Sequence, residues 1–267
     1  MTLWVTARPK PSPWRQWWVL TVRVIAPTLR NGELLIAIAM SAAFTAGLYL
    51  PLNRIMASVV HVDYAQYLMP AIALQAVFFA AMSAALRSAT DSVRGINRRF
   101  GVMPMPVMAP MAARMSGNVY RCTVALTSAI VCGHVIGFRF YGGAVNTAGF
   151  CALVLLIGVL VSVVGDLVGL VVPVPETTIH ILLLPQITLM TLSVGFQPAE
   201  LYPEWIQPFV RDQVFSQFVY ALRALAGDAT GSAATPTLSV VGPALLWLLG
   251  GSVATALMYT VVRRRKR

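Results

Sequence analysis

Residues 87–106 read RSATDSVRGINRRFGVMPMP, and they lie between two long apolar runs, QYLMPAIALQAVFFAAMSAAL before and VYRCTVALTSAIVCGHVIGF after. Arg87, Arg94, Arg98 and Arg99 stand there against a single acid, Asp91, around a turn-capable glycine, Gly95. Short loops rich in Lys and Arg stay on the cytoplasmic side of a membrane and orient the spans beside them. The stretch therefore reads as a turn-broken cytoplasmic loop. Met103, Pro104, Met105 and Pro106 follow the arginines, which makes a compact basic knob with apolar neighbours. Such a knob can anchor topology, and it can also dock a partner.

Composition points the same way. The chain has 267 residues, 58% of them hydrophobic and 11% charged, with a mean hydropathy of +0.74. A soluble domain carries about 25% charged residues. Several runs reach the roughly 20 residues that a helix needs to cross a bilayer core. Lipid offers no partner to a bare backbone group, so each run is expected to be a helix. None shows the period-two alternation of a membrane β-barrel. The fold class expected is an all-α integral membrane protein. Six spans are expected, at residues 34–52, 66–86, 119–138, 147–172, 178–196 and 239–262.

An even span count puts both termini on one side, and the charges test that arrangement. Arg8, Lys10, Arg15, Arg23, Arg30, the four loop arginines, Arg114, Arg121 and the basic end at 263–267 fall inside, 16 of the 20 Lys and Arg. Only Arg54, Arg139, Arg211 and Arg223 fall outside. The expected protein is multi-pass in the cell membrane with cytoplasmic N- and C-termini. Its net charge of +11 is then a topology signal and not a nucleic-acid surface. The organisation expected is a tail and interfacial helix at 1–33, a transmembrane domain at 34–262 and a basic tail at 263–267. The domain contains a cytoplasmic loop at 87–118 and an extracytoplasmic segment at 197–238. The Pro-broken N-terminus, ARPKPSP, does not read as a cleavable signal.

Two flanking pieces complete the pattern. In PWRQWWVLTVRVIAPTLR, Trp14, Trp17, Trp18, Ile25 and Leu29 share one side of a helix, and Gln16, Arg23 and Arg30 share the other. Trp and Arg so divided describe a helix lying in the membrane interface, with a plain cap on the first span as the alternative. Residues 197–238 are aromatic and half-apolar, and Pro198, Pro203, Pro208 and Gly227 break them. With Trp205, Phe209 and Arg223, they read as short helices dipping into the outer leaflet, allowed where protein covers the backbone. A seventh span would place Arg211, Asp212 and Arg223 at costly depth.

Isolated polar residues give little chemistry. Asp166 is the one acid inside an expected span, a few residues from its cytoplasmic end, where it pairs with an arginine such as Arg121 or serves a proton relay. His134 and His180 lie in opposite halves of the membrane, and Cys122, Cys132 and Cys151 lack paired spacing, so no metal site is expected. Gly165 and Gly169, like Gly133 and Gly137, form small-xxx-small faces for helix packing. A phosphate-binding loop needs G-x-x-x-x-G-K-[ST], yet the only lysines are Lys10 and Lys266. Any ATP hydrolysis belongs to another chain.

Two stretches carry a family resemblance. TDSVRGINRRFGVMPMPVMAPMAAR and VGFQPAELYPEWIQPFVRDQVFSQFVYALRALAGD resemble the membrane subunits of ABC-2-type exporters, in particular the daunorubicin-resistance permeases of actinobacteria. RNGELL and VCGHVIGFRF are similar to the same branch, so the likeness runs over residues 14–262. It implies a six-helix half-transporter, not an enzyme. Its implied partners are a second permease (another copy or a sister subunit), two ATP-binding subunits holding ATP and Mg, and membrane lipid. Asp91, Arg94, Gly95, Arg98, Arg99 and Phe100 would form the coupling loop, beside the interfacial helix. In this loop Asp91 stands alone among arginines where many relatives carry an acidic pair. The implied function is export of a large hydrophobic or amphipathic molecule, either a complex envelope lipid or a polyketide drug. A proton-coupled transporter using Asp166 is the rival, and a lipid-processing intramembrane enzyme finds no convergent polar set.

Overall fold

The computed structural model describes residues 12–30, 32–56, 63–96, 108–172, 174–229 and 235–265. They form α1 (Pro13–Arg30), α2 (Glu33–Met56), α3 (Tyr64–Val93), α4 (Met108–Val135), α5 (Gly143–Val171) and α6 (Pro175–Thr191). A 3-10 turn (Ala199–Leu201), α7 (Gln207–Asp212), α8 (Val214–Ala226) and α9 (Leu238–Arg265) complete the order. No strand occurs among the described residues. α3, α5 and the 238–262 part of α9 are each long and apolar enough to cross a membrane. α2, α4 and α6 occupy the other three expected segments. The protein is a multi-pass, all-helical membrane protein.

α3 is the central element. It starts at Asp63, whose carboxylate accepts the Ala65 N–H at 3.0 Å and so caps the helix. Of its most apolar stretch 72% is buried, against 39% for α5 and 11% for α9. α5 lies along it on a seam of small residues. A Cβ on Gly169 would fall 2.5 Å from the Ala85 carbonyl and 2.8 Å from the Ala89 nitrogen, and one on Gly165 would fall 3.0 Å from the Ala85 Cβ. The glycine face expected from the sequence is thus where the two backbones approach. Small residues give helices in lipid the close contact that apolar burial alone does not supply.

α4 packs on α2 and α3, with the Ser41 and Ser128 hydroxyls 2.9 Å apart between α2 and α4. α1 lies against α4, where Val24 meets Gly117 and the Trp17 indole N–H donates to Ser116 Oγ at 3.2 Å. The core gathers Leu68, Ile72, Phe138, Phe150, Ile157, Phe215 and Leu222 where α3, α5 and α8 meet. The chain enters α5 through Gly143, whose φ of +78° favours glycine.

Candidate functional site

Polar residues concentrate at the two ends of α3. At the C-terminal end the helix does not stop where the basic stretch begins. It runs through Arg87 to Val93, and the turn comes at Arg94 and Gly95. The Arg94 N–H donates to Thr90 O at 3.0 Å, and Gly95 donates to Ser92 O at 3.2 Å with φ +66°. Residues 87–93 are therefore helix and not loop. Polar side chains do not end a helix, whereas a residue at positive φ does. Residues 108–118 are likewise the opening turns of α4. Arg98, Arg99 and Phe100 lie outside the described residues.

Asp91 is not alone. Arg114 Nη2 of α4 approaches its Oδ2 to 3.4 Å, with side chains 21% and 33% exposed. A pair so placed contributes under about 1 kcal/mol. One turn further into the bundle, Asn118 Nδ2 donates to Asp166 Oδ2 at 3.4 Å, and Arg121 Nη2 donates to Asn118 Oδ1 at 2.6 Å. Asn118 thus stands between the acid and the arginine expected to pair with it. Sequence reasoning passed over Asn118 and the spacing that shows it. Arg114, Asn118 and Arg121 recur at i, i+4 and i+7, which is one face of a helix.

Beside this cluster, α1 turns Trp17, Leu20, Thr21 and Val24 towards the bundle, with Thr21 buried. Trp14 and Trp18 share the expected stripe with Trp17 but are 71% and 56% exposed. Their rings lie 4.6 and 6.2 Å from that of Trp17. Arg23 is exposed on another face of α1, and Arg30 closes the helix. The stripe is split: one edge faces protein and the other stays open.

At the N-terminal end of α3 the segment after α6 is tied down by side chains. Arg223 of α8 donates through Nε to Tyr67 O at 3.0 Å, and through Nη2 to Val194 O at 2.7 Å and Gly195 O at 3.3 Å. Its guanidinium carbon lies 3.4 Å from the centre of the Tyr67 ring. Tyr67 Oη also donates to Val194 O, at 2.9 Å. Gln213 Nε2 donates to Leu189 O and Leu192 O, and Ser216 Oγ accepts the Val194 N–H. Tyr202 Oη donates to Thr191 O at 2.7 Å. Gln66 Nε2 reaches Arg139 O and Gly227 O. The Leu189 and Thr191 carbonyls that α6 leaves open are satisfied by Gln213 and Tyr202 of the connecting segment, and those of Val194 and Gly195 just beyond it by Tyr67 of α3 and Arg223 of α8.

Prolines set the breaks in that segment. Pro198 precedes the 3-10 turn, Pro203 accepts from Ile206 N–H through its carbonyl, and Pro208 sits in the first turn of α7. Trp205 and Phe209 are 81% and 49% exposed. The structure thus brings Arg223, half-buried, against the N-terminal end of α3, and leaves these two aromatics on the surface. Sequence alone gives no sign of which carbonyls Arg223 takes.

No protein-family model matches the chain. The doxorubicin resistance ABC transporter permease protein DrrB of Mycobacterium tuberculosis is 45% identical over 262 residues, which cover 96% of this chain and 91% of DrrB. The probable doxorubicin resistance ABC transporter permease protein DrrC of the same organism is 27% identical over 229 residues, 86% of this chain and 80% of DrrC. The daunorubicin resistance ABC transporter permease protein DrrB1 of Streptomyces coeruleorubidus is 28% identical over 169 residues, 63% of this chain and 60% of its own length.

Proposed function

We propose a function from one established premise: this chain belongs to the ABC-2-type family of doxorubicin- and daunorubicin-resistance ABC transporter permeases. It is a membrane permease subunit and not an enzyme, and it works with an ATP-binding partner. The observation that carries this is the 45% identity with DrrB over nearly the whole of both chains.

The finer reading is that the chain spans the membrane six times, with both termini in the cytoplasm. Two permeases, identical or sister subunits, sit on two ATP-binding subunits that hold ATP and Mg. Arg94 to Phe100 form the element that seats on the ATPase, with α1 as the interfacial helix at its side. Residues 197–238 dip into the outer leaflet from the opposite face. The bonds by which Tyr202, Gln213 and Arg223 tie this segment to the end of α6 and to α3 support that reading, because irregular backbone survives at membrane depth only where protein covers it. The cargo is a large hydrophobic or amphipathic molecule, either a complex envelope lipid or a polyketide drug. Closure of the ATPase pair pushes on the α3–α4 connection and tilts the helices so that a path between the permeases opens outward.

The test is a gentle-detergent pull-down of tagged protein from its native membranes, with mass spectrometry and an ATPase assay. A co-purifying ATP-binding subunit with vanadate-sensitive hydrolysis is expected. In Arg98→Glu with Arg99→Glu, that subunit should be lost. If the complex forms and hydrolyses as before, the loop assignment is wrong.

A further inference from the structure

Between α3, α5 and α6 lies a cavity of about 150 Å³. Phe78 and Met82 of α3, Val161 of α5, and Leu182 and Leu189 of α6 form its apolar wall, into which α6 also sets Gln186. Gln186 is 7% exposed, and its buried amide nitrogen, Nε2, has no hydrogen-bond partner. A buried donor left unsatisfied is costly, and folded proteins keep few of them. Leucine, of similar size, would line the same wall without that cost. Water does not answer the amide, because a buried water needs roughly two to four polar partners. Among the described residues lining the cavity, Gln186 alone has a side-chain nitrogen or oxygen. The cavity also lies deep. Phe78 is at the middle of α3, and Gln186 stands eleven residues, about 17 Å, from the start of α6. A bilayer core is about 30 Å thick, so on the six-span reading both residues are near its midplane.

We propose that this cavity receives a carbonyl-bearing ring of the exported molecule, with the Gln186 amide turning onto the carbonyl oxygen. A cavity of this size takes about one aromatic ring. The wall suits one, since the Phe78 ring and the Met82 thioether both make favourable contacts with aromatic groups. Pro185 lines the cavity too and is exposed, so the cavity opens to the bundle surface and the rest of a larger molecule extends outward. A phospholipid is the poorer guest. Its ester carbonyls belong to the interfacial region, and at the midplane it offers only hydrocarbon, which leaves the amide unpaired. The occupant therefore carries its acceptor within its apolar body, as an aryl ketone or a quinone does. Of the two cargo classes proposed above, this selects the polyketide, and Gln186 is the residue that reads its carbonyl. The inference rests on the proposed export function and span placement.

Benzophenone, a diaryl ketone that bonds to neighbouring C–H groups under light, tests this on the purified full-length permease in mild detergent. Mass spectrometry should place the adducts on Met82, Leu182 and Leu189. Fluorenone should displace the probe about tenfold better than fluorene, which has the same rings and no carbonyl. Tenfold is the factor for a net hydrogen bond of about 1.4 kcal/mol. In Gln186→Leu that preference should vanish while fluorene competes as before, and a melting curve should show a fold at least as stable once the orphan amide is gone. Adducts spread over the exposed side of α9, around Leu246 and Leu249, overturn the proposal. Equal competition by the two compounds in the parent also overturns it, by making the cavity a slot for acyl chains. So does a fluorenone preference that survives in Gln186→Leu. The parent's adduct map and competition decide the site even if the variant unfolds. In the complex with its ATP-binding subunit, fluorenone should raise vanadate-sensitive hydrolysis in the parent and not in Gln186→Leu. A bound ketone that leaves hydrolysis unchanged is not cargo, which sinks the proposal as well. Absence of that subunit from the parent complex counts against the export function instead, because the labelling needs the permease alone.

Discussion

Replacing Arg223 tests the claim that side chains, and not helix continuity, hold the segment after α6. Arg223→Met keeps the apolar stem and removes the guanidinium. Three carbonyl contacts and the stacking on Tyr67 go with it. A hydrogen bond to a charged group contributes roughly 1.5–3 kcal/mol, and a partly exposed cation–π contact about 0.5–1 kcal/mol. These do not add. Val194 O keeps the Tyr67 hydroxyl, and the side chain is only half-buried, so water can reach part of what is exposed. A net loss of about 3 kcal/mol follows. At roughly 2–4 °C per kcal/mol for a chain of this size, melting falls by about 6–12 °C. Arg223→Lys keeps the charge but loses the fork that reaches Tyr67 O and Val194 O together, and should lose about half as much. The assay is thermal unfolding in mild detergent, read by a thiol dye reaching the buried Cys122. If Arg223→Met melts within about 2 °C of the parent, the segment is held by its apolar face and the reasoning fails.

Further predictions concern helix contacts. Gly169→Ala should destabilise by about 1–3 kcal/mol, because its Cβ meets the α3 backbone, while Gly47→Ala meets nothing within 4 Å and should melt as the parent does. Equal melting of the two variants would remove the α3–α5 seam. Trp17→Phe deletes the donor to Ser116 and should cost about 1 kcal/mol, with a double-mutant cycle to Ser116→Ala showing coupling. Additive losses would mean that α1 is not held by that bond. Asn118→Leu leaves Arg121 and Asp166 without their shared amide and should cost about 2–3 kcal/mol. A Leu variant as stable as the parent would show that the two charges do not depend on Asn118.

What could be read in the sequence follows from what each signal measures. Hydropathy reports where the chain leaves water, so the expected segments 66–86 and 239–262 fall inside α3 and α9. It does not report where a helix ends. RSATDSV contains no residue that forbids helix, and α3 continues through it until Gly95. Asp91 looked isolated because its partner, Arg114, lies 23 positions away on the next helix, α4. Asn118 was legible only as one member of an i, i+4, i+7 face. The family was legible because its motifs keep their order over nearly the whole chain, and the 45% identity with DrrB shows it.

The partners of Arg223 were not legible, for a reason that reaches the whole bundle. In water, burial selects the neighbours of an apolar face. In lipid, the tails are as apolar as the side chains, and burial selects nothing. α9 shows this directly: only 11% of its most apolar stretch is covered, and Leu246, Leu249, Val253 and Leu257 are each 60–70% exposed. Neighbours must instead be chosen by close backbone approach and by polar groups that lipid cannot satisfy. Both occur along α3. Glycines of α5 meet its alanines, Asp91 and Arg114 pair at one end, and Arg223 and Gln66 join separate segments at the other. Glycines in a hydropathic run and backbone carbonyls leave almost no mark on a hydropathy profile. The features that place helices in a membrane and those that pair them are therefore different residues: hydropathy shows the first kind, and of the second the spacing of Gly165 and Gly169 was legible while the partners of Arg223 were not.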